Sequence, residues 1–222
     1  GDETSLSIGA LKSPPEQAAK QEFIADLTTK YATIARLNAA WGTQHASWDA
    51  LLACREAPDK KKAMDDLTAF YTKAAEQYFR TVRDAIKAVA PDQLYLGCRF
   101  AWANDRAAIA AGKYCDVVSY NLYQRTIADF KYPGGDKPLI IGEFHFGALD
   151  RGMFHTGLVP VANQAERAQA YQEYVLGAVL HPQFVGRHWF QWMDEPPTGR
   201  LYDEGNYQIG FVDIADTPYR ET

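Results

Sequence analysis

Glu143 directly follows Leu139-Ile140-Ile141-Gly142, so a carboxylate stands at the mouth of an apolar run short enough to be one buried strand. A charge there is costly unless it is paired or put to use. An ion pair with Arg99 is the structural use, and chemistry on a bound substrate is the other. His145, two residues on, projects to the same side of an extended segment. It is either a hydrogen-bonded structural imidazole or part of a site. Three other apolar runs end in a similar way. Leu94–Cys98 leads to Arg99, Trp102 and Asn104; Asp116–Tyr120 leads to Asn121 and Tyr123; Val185–Phe190 leads to Gln191, Trp192, Asp194 and Glu195. One such ending says little. Four in succession gather acids, amides, an imidazole and tryptophans where strands end, which in a barrel is where the active site is built.

The chemistry that fits carboxylates beside aromatic rings is glycosidic bond cleavage. It needs two carboxyl groups flanking the bond, about 5 Å apart where the anomeric configuration is retained. Glu143 therefore requires a partner from another strand end, and Glu3, Asp194 and Glu195 are the candidates. Asp2-Glu3 precedes a Ser/Gly-containing stretch read as a loop, which would suit the end of a preceding strand. Trp102 and Trp192 could offer stacking faces to a sugar, whereas Trp189 reads better as core.

The elements that must position these residues alternate. Ile24, Leu27, Tyr31, Ile34 and Leu37 recur at steps of three and four, which predicts a helix from about Pro15 to Leu37, with Gly42 as a cap beyond it. Leu67, Phe70, Ala74, Tyr78, Val82, Ile86 and Val89 predict a second from Ala63 to Val89, with Pro91 just past its end. A short helix near Arg106–Gly112 and a longer one over Gln164–Leu180 separate the apolar runs. Three of these runs are continuous rather than alternating, as parallel strands covered on both faces require. Strands alternating with helices predict an α/β fold with a parallel sheet. Pro218-Tyr219 reads as the opening of a last helix.

Composition narrows the partners. The formal charge is −5 and there is no basic tract, which speaks against nucleic acid; Lys60-Lys61-Lys62 is flanked by Asp59, Asp65 and Asp66 and reads as a solvated turn. No apolar run approaches the length of a membrane span. Cys54, Cys98 and Cys115 have neither metal-ligand spacing nor an even count, so neither a metal nor a disulfide framework is expected.

Longer strings carry a resemblance. Lys137–Gly152 with its Gly-Glu143-Phe-His145 centre, Phe154–Gly157, Tyr114–Tyr123, His188–Trp192 and Asn206–Asp213 resemble glycoside hydrolase family 50, the β-agarases, across essentially the whole chain. Leu37–Thr43 is similar to a stretch of the related β-galactosidases of the same clan. The resemblance implies a (β/α)8 TIM barrel, with this chain as one C-terminal part of a single domain over residues 1–222, carrying strands five to eight. It implies Glu143 as nucleophile and Glu3 as acid/base, a role that calls for a raised pKa. It further implies Arg99, Trp102, Tyr120, Asn121, Tyr123, His145, Trp192 and Asp194 as substrate-binding residues, no metal or other cofactor, and secretion or a periplasmic location. The expected substrate is a galactose-containing polysaccharide or oligosaccharide cut at β-1,4 bonds. A β-galactosidase and a catalytically silent carbohydrate-binding half-barrel are the alternatives. Half a barrel leaves two sheet edges open, so the resemblance implies a fragment, a half completed by a second chain, or a homodimer. Two departures stand out. Asp2 occupies the place where the family usually has Asn. Asp194-Glu195-Pro196-Pro197 differs from the segment expected after the last strand, which implies a shift in specificity.

Overall fold

Asp2 starts the first helix. Its carboxylate accepts the Thr4 backbone N–H at 2.8 Å, the Thr4 hydroxyl at 2.7 Å and the Ser5 hydroxyl at 2.9 Å, and α1 runs over Ser5–Lys12. The stretch read as a loop is thus helical. Serine and glycine are weak helix formers; tertiary contact makes up the difference, with the Ser7 hydroxyl donating to the Leu67 carbonyl at 2.7 Å and Leu11 buried. The structure, a computed structural model, describes residues 2–221; Gly1 lies outside them. Two compact units divide the chain, one of Gly1–Ala88 and Trp102–Tyr114, the other of Val89–Ala101 and Cys115–Thr222.

The first unit is helical. The helix expected over Pro15–Leu37 is two, α2 over Ala18–Tyr31 and α3 over Ile34–Trp41. Ala32 at φ 62° ends α2, and the Thr33 hydroxyl accepts the Arg36 N–H to start α3. Gly42, at φ 70°, is the left-handed cap of α3, as its position suggests. The short α4, Trp48–Ala53, lies outside the expected helices; Ser47 caps it through the Ala50 N–H at 3.1 Å. Lys60 to Lys62 form an exposed turn folded over the Asp59 carboxylate, which accepts the N–H groups of Lys61 and Lys62. Helix α5, Met64–Val89, and α6, Asp105–Tyr114, match their expected spans to within a few residues. The core gathers Phe23, Leu27, Leu37, Trp41, Leu67 and Phe70. Within it Asp66 accepts from Lys30 at 2.6 Å, Tyr31 at 2.8 Å and the Trp41 indole at 2.8 Å, so this buried carboxylate has a structural use.

The second unit carries a four-stranded, all-parallel sheet in the order β1-β2-β3-β4. β2 is Val118–Asn121, β3 Leu139–Phe144 and β4 Phe184–Trp189, near the expected runs. β1 is only Arg99–Phe100, beyond the expected Leu94–Cys98. Gly97 at φ 65° breaks the extended chain there, and Leu94 and Leu96 are exposed. Helix α7, Gln164–Leu180, occupies its predicted span, capped by the Asn163 side chain on the Glu166 N–H. Its Tyr174 stacks on Phe144 at 4.3 Å in a core with Ile127, Ile141 and Phe146. Pro218 opens no helix; it pairs antiparallel with Val212, and the Tyr219 N–H donates to the Phe211 carbonyl at 3.0 Å. All three cysteines are free, and burial pushes the Cys115 thiol up to about 12. Among the described residues no helix is long and apolar enough to cross a membrane.

Candidate active site

Alternation along the strands decides which side chains meet Glu143. Ser119 and Arg99 share a face, because a Cβ on Gly142 would lie 2.6 Å from the Arg99 Cδ and 2.8 Å from the Ser119 Oγ. Glycine at 142 therefore clears a path for Arg99 across β3. At the end of that path Arg99 Nη2 pairs with Glu143 Oε1 at 3.0 Å. The other oxygen, Oε2, accepts the Tyr123 hydroxyl at 2.5 Å. Glu143 thus has one donor on each oxygen and keeps 15% of its side chain exposed, enough to meet a ligand. Burial, and then the hydrogen bond to Glu143, hold the Tyr123 hydroxyl well above the usual phenol range, so it stays a donor. Asn121 is paired in register with Glu143, and its buried Oδ1 has no hydrogen-bond partner.

The Gly142→Ala variant should lose about 1–3 kcal/mol of stability through overpacking and should displace Arg99. Denaturant unfolding and turnover, measured together, check this; an unchanged protein would mean that Arg99 does not depend on the gap.

His145 is placed differently from expectation. It is only 1% exposed. Its Nε2 accepts the Leu158 N–H at 2.8 Å, which makes Nδ1 the protonated nitrogen donating to the Phe190 carbonyl at 3.1 Å. Neither nitrogen is left for a sugar. The ring instead backs Tyr123, 4.7 Å between centroids. Burial pulls its pKa down to about 4. An unfolded histidine takes its proton near 6.5, so the unfolded state binds more protons between those values. Stability is then fully present above about pH 6.5 and falls as the pH drops toward 4, by about 3 kcal/mol from this group. The His145→Gln protein should show a flatter stability profile across that window by urea unfolding; an equal slope would remove His145 as its cause.

Tyr120 and Asp194 are also corrected. Tyr120 lies on the opposite face of β2 from Ser119, among Phe100, Phe130 and Tyr132. Asp194 is buried, with one oxygen on the Gly210 N–H at 2.7 Å and the other on the Tyr219 hydroxyl at 2.5 Å. It fixes the chain after β4 rather than offering an open carboxylate. Glu195 is fully buried as well, accepting the Tyr207 N–H at 2.9 Å. Trp189 is half-buried and packs against the core, on Phe144 and Phe211, whereas Trp192 is 66% exposed. Glu3 lies in the helical unit, where its Oε2 accepts from Arg106 Nε at 3.0 Å. In that unit Trp102 is 81% exposed.

Sequence reasoning missed two arginines. Arg167, on α7, is fully buried, donates to the Gly210 carbonyl and lies over the rings of Trp189 and Tyr219. Arg200 pairs with Glu195 and Asp203. No periodicity marks either one. Among the described residues no group of three or more His, Cys, Asp or Glu is placed to hold a metal.

Residues 14–150 match the glycoside hydrolase 42 family, described as β-galactosidase, and that span includes Glu143. The chain belongs to this family. Individual relatives point to agarases within the wider group. β-Agarase B of Vibrio sp. (strain JT0107) is 43% identical over 97% of this chain, which spans 23% of that protein. The crystal structure of an agarase superimposes with a TM-score of 0.90 at 41% identity, over 100% of this chain and 33% of its own. An exo-β-agarase gives 0.89 at 43% identity, over 97% and 30%. The chain is therefore an agarase-like glycoside hydrolase sequence with a parallel α/β fold, spanning no more than a third of the length of any of these relatives.

Proposed function

We propose that the chain belongs to a retaining glycoside hydrolase that cleaves β-1,4-galactosidic bonds of agarose or neoagaro-oligosaccharides. In this reading Glu143 attacks the anomeric carbon of galactose and Glu3 protonates the departing glycosidic oxygen. Glu3 then takes a proton from water as that water displaces the sugar from Glu143. The observation that carries it is the Glu143 carboxylate at the end of β3, held by Arg99 on one oxygen and Tyr123 on the other while still open to a ligand. Two fixed donors hold the nucleophile in one orientation before it attacks. Asn121 and the exposed Trp192 and Trp102 are the sugar contacts. No cofactor enters this chemistry. The fold is read as the part of a TIM barrel holding strands five to eight, within one catalytic domain. A polymeric substrate places the enzyme outside the cell or in the periplasm.

Asp2 bears on the first departure from the family. Its oxygens are engaged by Thr4, Ser5 and Lys60, and these bonds, the Thr4 hydroxyl first, hold its carboxyl well below the usual range. The hydrogen bond an Asn would make to a sugar 2-hydroxyl therefore has no donor here.

A second reading, β-galactosidase, is favoured by the description of the matched family. Reducing-sugar release from agarose oligosaccharides, set beside hydrolysis of a chromogenic galactoside, separates the two. Release from the oligosaccharide supports the agarase; hydrolysis of the galactoside alone supports the second reading. Binding without turnover of either would leave a silent carbohydrate-binding module.

A further inference from the structure

The Asp194–Pro197 stretch begins a loop whose polar groups are arranged around one arginine. Arg200 Nε and Nη2 grip both oxygens of Asp203, at 3.0 and 2.5 Å. Its Nη1 stands 3.0 Å from Glu195 Oε1, an ion pair off the hydrogen-bonding direction. Glu195 is fully buried; burial raises its pKa, opposed by the Tyr207 N–H and the Arg200 charge. Nε and Nη2 are thus held by Asp203 while Nη1 faces Glu195, so the fork is turned toward the loop's own carboxylates. Its flat face is committed too, since the guanidinium carbon lies 5.5 Å from the Phe190 ring centroid, 5.9 Å from that of Tyr207 and 4.9 Å from that of Tyr202.

Phe190 and Tyr207 lead back to the site. The Phe190 carbonyl accepts from His145 Nδ1, the Tyr207 ring meets His145 edge-on at 6.0 Å, and His145 backs Tyr123, which donates to Glu143. We propose that Arg200 is a positioning residue for the Glu143 site, bracing Phe190 and Tyr207 behind His145 and thereby holding the Tyr123 hydroxyl on the carboxylate. The proposal rests on the reading of Glu143 as nucleophile for its effect on turnover, but not for its effect on His145. Tyr123, Tyr207, Arg200 and Arg167 are the ionisable groups disposed around His145. Of these the two arginines oppose its protonation, so losing one charge should ease it.

The experiment compares wild type with Arg200→Met and Arg200→Lys. The His145 ring is titrated by NMR in labelled protein, and kcat and KM are measured on agarose oligosaccharides. Methionine should let His145 protonate at higher pH and should lower kcat by about tenfold to a hundredfold, with KM little changed. Lysine keeps the charge and loses the fork, so it should restore the titration and leave kcat low. A folded Arg200→Met protein with wild-type titration and wild-type kcat would overturn the proposal. If methionine prevents folding, wild-type kcat in Arg200→Lys overturns it instead. If wild type itself shows no turnover, the functional reading fails, and the His145 titration alone decides whether Arg200 acts on the ring.

Discussion

Replacing Glu143 with Gln is expected to remove turnover of agarose oligosaccharides by about four orders of magnitude or more, equivalent to about 5 kcal/mol of transition-state stabilisation. Glutamine keeps the shape of the side chain and can still accept the Tyr123 hydroxyl, so the fold around β3 should survive. The Arg99 pair is lost, but the amide is neutral and Arg99 is largely exposed, so no buried charge is left unpaired. A carboxamide cannot form the glycosyl ester, so the loss should appear in kcat. Unfolding midpoints and steady-state kinetics on the same preparation check both halves. A folded variant with wild-type kcat would end the assignment of Glu143.

The second large effect is expected at Glu3. Glu3→Gln should slow hydrolysis of oligosaccharides by about 10²–10⁴-fold, the range for a positioned general acid. Substrates whose leaving group departs without a proton should escape the first step and stall at the second, where the same residue serves as base. A burst of aryl alcohol followed by slow turnover is the expected signature. Equal loss on activated and unactivated substrates would make Glu3 a structural partner of Arg106 instead.

The elements most legible in the sequence are those whose pattern is long or bounded by clear signals. Helix α7 can be placed because Ala168, Tyr171, Val175, Ala178 and Val179 recur along one side of it. Strand β3 can be placed because a continuous apolar run ends in a carboxylate. Local pattern fails where tertiary contact or backbone geometry decides. Helix α1 has a poor intrinsic propensity and forms against Leu67; α2 and α3 part at Ala32, a residue that gives no break signal; the early apolar run turns at Gly97, so that only Arg99–Phe100 beyond it forms a strand.

The site is legible in the same uneven way. Glu143, Arg99 and Tyr123 come together because each stands at or just past a strand end. Tyr120 reads wrongly because its face depends on register, and one residue of shift reverses it. His145 and Asp194 read as open polar groups because a sequence does not show which backbone N–H or carbonyl will claim them. Arg200 acts through ring faces and ion pairs within one loop, an arrangement no spacing rule announces.

The central claim, that Glu143 forms a covalent bond to galactose, is tested most directly by trapping. The protein is incubated with a 2-deoxy-2-fluoro galactoside carrying an activated leaving group, and its peptides are analysed by mass spectrometry. The account predicts one added fluorogalactosyl mass on the peptide containing Glu143, absent in Glu143→Gln. A label on another carboxylate, or turnover of this reagent with no labelled species, would contradict it.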